Sequence, residues 1–388
     1  MNTRQNDFDV IVVGGGLVGA SLALALAEAG RRVALLEGQA AHFDDLYQGW
    51  DARVYAVSPA NRRFLESLGA WPGMERIGTI ASMDVRGDRG GRIEFAASDA
   101  DADAEALAWI AENRWMLAAL WRRLECCDIT LLTGVRPSAL STTARQACLT
   151  LDDGRELTAA LLVGADGANS WVRGQLGLEA SVKPYGQSGV VANFDCERPH
   201  GNVARQWFLG DGILAWLPMA GQRMSMVWST PEPESLLELD AETLAETVAS
   251  TGDYALGGLS VITPAAAFPL RLIRPQSTVK ERVALVGDAA HTVHPLAGQG
   301  VNLGFQDAAT LAALLQDHRD PGDWLLLRRF ARQRKEAVVT MQTTCDALFA
   351  LFHQHQLPGL PWLRNAGLSL TNRLTPLKRQ FARHAIGF

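Results

Sequence analysis

Two regimes of apolar and polar positions follow one another along the chain. Phe8 to Val13 is a nearly unbroken apolar run, as a strand buried on both faces requires. A glycine cluster follows, then Leu17 to Ala29, apolar almost throughout and closed by Gly30. Val33 to Leu36 is a second apolar strand, ending at Glu37. Strand, helix and strand in that order predict a βαβ unit. Ser58 to Leu68 has helical spacing, and Glu112 to Leu124 reads as a helix with Leu117, Leu120 and Leu124 on one face. Ile129–Leu132, Ala147–Leu151 and Leu157–Val163 read as strands.

Between about Ser188 and Leu270 the regime changes to short strands separated by turn residues: Gly189–Phe194, Val203–Phe208, Ile213–Pro218 and Met224–Ser229. One helix is predicted there, over Leu236–Ala249. Arg282–Val286 returns to the buried parallel pattern, and long helices cover Gln299–Leu315 and Pro321–Phe352. The acidic, alanine-interleaved stretch Asp99 to Glu105 is predicted as a solvated loop or frayed helix.

Composition narrows this picture. A chain of 388 residues, 48% hydrophobic and 20% charged, is long enough for two domains and too apolar for disorder. Its net charge of −6 argues against general nucleic-acid binding. The five cysteines (Cys126, Cys127, Cys148, Cys196, Cys345) have neither metal-ligand nor redox-pair spacing, which fits reduced thiols in a cytoplasmic protein; no metal site is expected. The uncharged run Val10–Ala27 is long enough to imitate a membrane span. Its glycines and the preceding Asp7 and Asp9 favour a strand, a turn and a packed helix.

Chemistry enters with three glycine-bearing segments in one order. In Gly14-Gly15-Gly16-Leu17-Val18-Gly19, Gly14 permits a tight turn, Gly16 lets backbone approach a pyrophosphate, and Gly19 lets the helix pack on the strand. The helix N-terminus at Leu17 and Val18 offers N–H groups and a partial positive charge to phosphates. Glu37 lies where a carboxylate accepts hydrogen bonds from an adenosine ribose, and it would repel a 2′-phosphate, so FAD or NAD fits and NADP does not. Ala165-Asp166-Gly167 ends a mid-chain strand; taken alone, an acid there is more often a turn than a site. Gly287-Asp288 ends a later strand, where a carboxylate can bond a ribityl chain. Gly298-Gln299-Gly300-Val301-Asn302 opens a helix whose glycines leave room for a flat ring and whose N-terminus favours an anionic one. Together the segments predict one dinucleotide held at both ends, its chemical end a flavin.

The run Gly287-Asp288-Ala289-Ala290-His291-Thr292-Val293-His294-Pro295-Leu296-Ala297-Gly298-Gln299-Gly300-Val301-Asn302 resembles the ubiquinone-biosynthesis flavin hydroxylases, a branch of the single-component FAD monooxygenases similar to para-hydroxybenzoate hydroxylase. Asp51-Ala52-Arg53, Glu112-Asn113-Arg114 and Gly164-Ala165-Asp166-Gly167 match further segments of that family. The C-terminal runs Leu363–Leu368 and Leu377–Gln380 resemble the branch called UbiF, which favours the ring position that branch serves. The likeness is loose only over about Ser188 to Ala265, where substrate identity would be read.

The resemblance implies an α/β fold: a discontinuous Rossmann-like FAD-binding domain (1–75, 105–180 and 275–352), an inserted α+β substrate domain (76–104 and 181–274), and a basic, apolar C-terminal segment (353–388). It implies that Arg53 and Asn113 contact FAD, that Asp288 holds the ribityl chain, and that Asp166 and Gly167 serve the pyrophosphate region and NAD(P)H use. It implies NAD(P)H as reductant, O2 as co-substrate, a flavin hydroperoxide as oxidant and a polyprenylated phenol or quinol as the ring hydroxylated. A small soluble aromatic acid, or a non-catalytic flavin-bound subunit of a ubiquinone-biosynthesis complex, are the alternatives. His294, beside Pro295, is a candidate for moving a phenolic proton, with a backbone-bonded turn histidine the blander reading. Trp207, Phe208 and Trp216 are candidates to face the substrate ring, with core packing as their alternative. From Ala347 onward there is no acidic residue, while Arg364, Arg373, Lys378, Arg379 and Arg383 interleave with leucines; this suits peripheral contact with an anionic inner-membrane surface, or a packed helix with solvated arginines.

Overall fold

The computed structural model describes residues 6–39, 42–101, 104–294, 298–353 and 360–373. In chain order, β1 (Phe8–Val13), α1 (Leu17–Glu28) and β2 (Val33–Glu37) are followed by β3 (Val54–Val57), α2 (Pro59–Ser67), β4 (Gly78–Ile80), β5 (Ser82–Arg86), β6 (Arg92–Ala96) and α3 (Ala97–Ala100). Then come β7 (Ala108–Glu112), α4 (Asn113–Leu124), β8 (Ile129–Thr133), β9 (Pro137–Thr142), β10 (Ala147–Leu151), β11 (Glu156–Gly164) and α5 (Trp171–Gln175). The middle of the chain is β12 (Ala180–Cys196), β13 (Val203–Phe208), β14 (Ile213–Met219), β15 (Arg223–Thr230), α6 (Glu234–Leu237), α7 (Ala241–Thr251), β16 (Leu259–Val261) and β17 (Ala266–Pro275). The chain returns through β18 (Val279–Lys280) and β19 (Val283–Leu285), and ends in α8 (Gly300–Leu315), α9 (Trp324–His353) and α10 (Leu360–Arg373).

The apolar runs become the centre of one sheet, ordered β18-β19-β11-β1-β2-β8, with β10 and β9 attached to β11. β1 lies parallel between β11 and β2, and β19 is parallel to β11. Alternate residues of β1 go to opposite faces. Val10 and Val12 pack with α1, α4 and α8, whereas Ile11 and Val13 pack with Val172 and β10. The second sheet runs β16-β12-β15-β14-β13-β5-β6 with β17 on β12. It is antiparallel except where β5 lies parallel to β13.

Register decides which face of the second sheet does what. Ala192, Met226 and Trp216 are cross-strand neighbours, and their face is covered by α7 through Leu244 and Val248. Asn193 and Ser225 are neighbours on the opposite face, and Asn193 Nδ2 donates to the carbonyl of Asp51 at 2.9 Å. That second face therefore looks at the first domain.

Two expectations change. The helix predicted over Leu236–Ala249 is broken into α6 and α7, because the Asp240 carboxylate accepts from Thr243 N–H at 2.8 Å and starts a new helix. Part of the acidic stretch joins the short helix α3, with Asp99 closing onto Ala96 N–H at 2.8 Å. The C-terminal expectation is also corrected at Arg364. Its side chain is fully buried, paired with Asp88 and bonded to the carbonyls of Leu351 and Phe352. Burial alone would raise the Asp88 carboxyl, but hydrogen bonds from Arg364 and Asn365 outweigh it and hold Asp88 below its usual range.

Candidate functional site

The three glycine segments converge because the strands that carry them are neighbours. Val13 is level with Gly164, and Gly164 with Leu285, so β1, β11 and β19 end at one edge of the sheet. Gly14 adopts φ +107°, and a Cβ there would lie 2.4 Å from the carbonyl oxygen of Ala165. A Cβ on Gly19 would lie 1.9 Å from the carbonyl oxygen of Gly14. Gly16 is different: a Cβ on it would meet nothing within 4 Å, since it faces open space.

That space is a cleft of about 420 Å³ whose lining includes Gly14, Gly16, Glu37, Pro137, Asp166 and Trp171. Glu37 is held at its wall, accepting Gly15 N–H at 2.7 Å and Gln39 N–H at 3.1 Å. Each carboxylate oxygen keeps a lone pair for a hydroxyl. No described side chain caps α1, and its first turn holds no acid, so the helix dipole and the amides of Leu17 and Val18 face the cleft uncompensated. Glycine backbone, a helix N-terminus and a ribose-type carboxylate fit a dinucleotide.

Asp166 lines this cleft, but both of its oxygens are used internally. One accepts from Ser170 Oγ at 2.5 Å and the other from Val172 N–H at 3.0 Å, capping α5. The acid acts as a turn-former and shapes the wall, while Gly167, at φ +79°, carries the bend.

The turn at Gly287–Ala289 carries Asp288. Gly287 adopts φ +59° and packs on Val18, where a Cβ would stand 3.2 Å from the valine side chain. A buried carboxylate fixes this turn: Asp307 on α8 accepts from Gly287 N–H at 2.9 Å, from His291 Nε2 at 2.7 Å and from Arg334 Nε on α9 at 2.6 Å. The Asp288 side chain is exposed at this turn, yet protein crowds closely around it. Loss of hydration, and secondarily the charge of Asp307, push its carboxyl upward against the pull of His291 and Arg53.

Arg53 thus stands close enough to Asp288 to be felt. Its loop is tied from several directions. Asp51 Oδ2 accepts from Arg114 N–H at 3.2 Å, Arg53 carbonyl accepts from Asn113 N–H at 2.9 Å, and Asp51 N–H donates to Glu112 at 2.6 Å. Glu112 is buried and pairs with Arg76 at 2.7 Å, whose guanidinium lies over Trp50 at 3.9 Å. Arg53, Asn113 and Asp288 therefore form one neighbourhood, while Gly14, Gly16 and Glu37 line the cleft.

At the start of α8, Gly298 has φ +61° and Gln299 occupies the N-cap position. Val301 is buried in the core. Asn302 is corrected from a cofactor contact to an internal clamp. Its Oδ1 accepts from Ser58 N–H at 3.0 Å and Asn61 Nδ2 at 2.8 Å, and its Nδ2 donates to the carbonyl of Ala56 at 2.8 Å. Those bonds tie α8 to the strand that follows Arg53.

Three aromatic expectations are overturned. Trp207 and Trp216 meet edge to face at 4.7 Å in the core beneath α7, on the face turned away from the cleft. Phe208 stacks on Phe352 of α9 at 3.7 Å. Core packing beneath α7 explains the two tryptophans, while Phe208 belongs to a separate cluster on the other face of β13. His294 stands in an aromatic surrounding. It is buried, with Tyr185 edge-on at 4.7 Å and Phe349 at 5.0 Å, and burial lowers its pKa to about 4. Pro295 lies outside the described residues. The residues not anticipated are Asp307, Arg334, Arg76 and the Tyr185–Phe349 pair. Asp307 had a signal: one acid among Leu303, Ala308 and Leu311, on the inward side of an apolar helix.

A family model described as an FAD binding domain matches residues 7–344. The chain belongs to the FAD binding domain family. FAD is accordingly the dinucleotide that the cleft of this family member fits. The chain is 37% identical, over 98% of its length and 89% of the relative's, to a ubiquinone hydroxylase, UbiL, of Rhodospirillum rubrum. It is 34% identical, over 98% of both chains, to the 3-demethoxyubiquinol 3-hydroxylase of Escherichia coli. Its fold is that of PqsL from Pseudomonas aeruginosa, solved in complex with 2-aminobenzoylacetate, with a TM-score of 0.77 and 23% identity over 93% of this chain and 99% of that one.

Gly16→Ala separates folding from cofactor binding. The new methyl meets no protein atom, so the apoprotein should unfold at an unchanged temperature, while FAD affinity should fall at least about tenfold, roughly 1.4 kcal/mol. Fluorescence titration of apoprotein with FAD reads the second effect; unchanged affinity would show that Gly16 does not face the cofactor.

His294 yields a pH-dependent expectation. Its folded pKa of about 4 lies below the ordinary 6.5, so the unfolded chain takes up a proton first. Its contribution to stability is full above about pH 6.5 and is lost as pH falls through about 4, a span of about 3 kcal/mol. His294→Leu should flatten the acid limb of stability measured by urea unfolding from pH 7 to 4.5. An acid limb as steep as before would place the titrating group elsewhere.

Proposed function

We propose that this protein is an FAD-dependent monooxygenase that hydroxylates the aromatic ring of a polyprenylated phenol or quinol in ubiquinone biosynthesis, using NAD(P)H and O2. The observation that carries the reading is that β1, β11 and β19 end at one edge of the sheet, bringing Gly14–Gly19, Ala165–Gly167 and Gly287–Asp288 together, with the second sheet bonded to the Asp51 loop. The named activities of relatives spanning nearly the whole chain support it.

Bound FAD supplies the chemistry that accepts electrons from NAD(P)H and activates O2 for transfer of one oxygen atom to the ring. The chain's own residues bind and orient. Gly14, Gly16 and the amides of Leu17 and Val18 would receive the pyrophosphate, and Glu37 the adenosine ribose. Asp288 would accept from a ribityl hydroxyl. Protein crowding already raises its pKa, and a hydroxyl donated to it would replace hydrogen bonds from water. Arg53, anchored through Asp51, Asn113 and Glu112, would meet the flavin end. The N-terminus of α8 directs its positive end to the same region, where a reduced flavin carries negative charge. The sheet face bearing Val191, Ala215 and Val227, cross-strand neighbours on the side of Asn193, closes the ring site and excludes water.

The C-terminal segment is proposed to rest on an anionic bilayer. Arg364 leaves the basic set because it is buried, but Arg373, Lys378, Arg379 and Arg383 remain in a stretch without acids, and Leu348, Leu351 and Leu370 are exposed. Among the described residues no helix is long and apolar enough to cross a membrane.

Purified protein should be yellow, and NAD(P)H should bleach it faster when a prenylated phenol is present, with a hydroxylated product once air is admitted. Bleaching that ignores every prenylated phenol or quinol precursor, with no product, would overturn the assignment. Replacing the four remaining basic residues by glutamine should cut co-sedimentation with anionic vesicles at least about tenfold at 0.1 M salt, on the order of 1 kcal/mol per charge. Retention equal to that of the unsubstituted chain would remove the bilayer contact.

A further inference from the structure

A ring site built for a polyprenylated molecule must also let an apolar tail out, and neither the flavin cleft nor the tryptophan core of the second sheet provides for it. Along α9 there is a file of aromatic rings that does. It begins at His294, four residues before Gly298 at the mouth of α8. Tyr185 stands edge-on to His294 at 4.7 Å, and Phe349 touches both, at 4.9 Å from Tyr185 and 5.0 Å from His294. One helical turn on, Phe352 stacks on Phe208 with ring centroids 3.7 Å apart and planes 16° from parallel. Val85, Ile93, Ile213 and Leu368 surround that stack. Charge stands beside the file at two places: Lys183 pairs with Asp346 at 2.7 Å next to Tyr185, and the Arg364 guanidinium lies over the Phe352 ring at 5.3 Å.

The outer end of the file is closed by α10, and closed in an unusual way. Two of its described side chains, both buried, hold it by polar contacts. Arg364 pairs with Asp88; Asn365 Oδ1 accepts from Gly91 N–H at 2.9 Å and Arg89 N–H at 3.2 Å, and its Nδ2 donates to Asp88 at 2.8 Å. The turn between β5 and β6 is shaped to receive it, since a Cβ on Gly87 or Gly91 would lie 2.2 or 2.7 Å from atoms of Asn365. Among the side chains of α10 that are described, Leu368 packs on the stack and Leu370 is exposed. A helix clamped by polar groups over an apolar seam can lift without opening a core.

We propose that the seam from His294 to Phe208, between α9 and the second sheet, is the path by which the isoprenoid tail of the substrate leaves the ring site, with α10 as its latched outer cover. The occupant is an unsaturated, methyl-branched hydrocarbon chain, whose flat segments pack on ring faces and which needs no polar partner. The path ends beneath α10, which belongs to the stretch of sequence from Ala347 onward that carries no acidic residue. The proposal rests on the ring-hydroxylase reading above.

Full-length, FAD-loaded protein would be given one phenol with a tail of several isoprene units and the same ring with a methyl group in place of the tail. Phe352→Trp, at the stack, should lower the ratio of kcat/KM for the tailed over the tail-less ring at least tenfold. Leu368→Trp, at the cover, should act in the same direction and serves if the first variant does not fold. Binding of the tailed phenol, followed by perturbation of the flavin spectrum, should weaken by the same factor. Unchanged ratios and unchanged tail-dependent binding in flavin-loaded variants would overturn the path and make the file plain packing. Failure of the unsubstituted protein to hydroxylate either ring would overturn the activity reading instead, and the binding measurement would still decide the path.

Discussion

Backbone must touch backbone where α1, α8 and the sheet edge meet, and the rest of the molecule is arranged around that contact. A Cβ on Gly19 would sit 1.9 Å from the Gly14 carbonyl, one on Gly14 2.4 Å from the Ala165 carbonyl, and one on Gly304 2.5 Å from Val18. Only glycine permits these approaches, and φ +107° at Gly14 excludes most other residues independently. Because the three strand ends are drawn together, two helix N-termini separated by nearly the whole chain come side by side, with Gly304 of α8 against the Val18 side chain of α1. Two partial positive charges of this kind, without a described side-chain cap on either, suit a ligand that is anionic at both ends.

Holding that geometry falls to buried charge. Asp307 receives bonds from a backbone amide, a histidine and an arginine, drawn from three elements. Burial opposes its ionised form, but those three donors outweigh burial and keep its pKa low. Glu112 and Arg76 form a second buried ion pair, beneath the Arg53 loop. Breaking one partner of such a pair costs about 3–5 kcal/mol, far more than a surface pair is worth. The cleft walls are therefore stiff, while the ligand-facing groups, Gly16, Asp288 and Arg53, remain open to it.

Much of this was legible from residue order. Unbroken apolar runs imply strands buried on both faces, and β1, β2 and β11 are such strands. A glycine turn with an acid at the end of the next strand implies a particular backbone and a particular ligand. What sequence withholds is direction. Trp207 and Trp216 were candidates for a ring contact because tryptophan is large and flat; the register of β13 and β14 turns both away from the cleft. Asn302 and Asp166 carry the right chemistry, but neighbours more than two hundred residues away or only four away absorb their polar atoms. Arg364 looked like one of five free cations, and only the fold brings Asp88 to it.

The polar latch on α10 sharpens that lesson. Had the C-terminal helix been held by leucines buried in a common core, it would be a structural cap, and lifting it would cost as much as local unfolding. Instead its buried residues at the described positions include Arg364 and Asn365, while Leu370 faces solvent. Hydrogen bonds exchanged with water on opening leave a small net difference, because the groups released are solvated as they separate. Apolar surface uncovered at Phe208, Phe352 and Leu368 is then the main opposing force, and a hydrocarbon chain entering the seam would cover it again. Cover and occupant compete for the same surface, which lets the helix move only when something apolar takes its place.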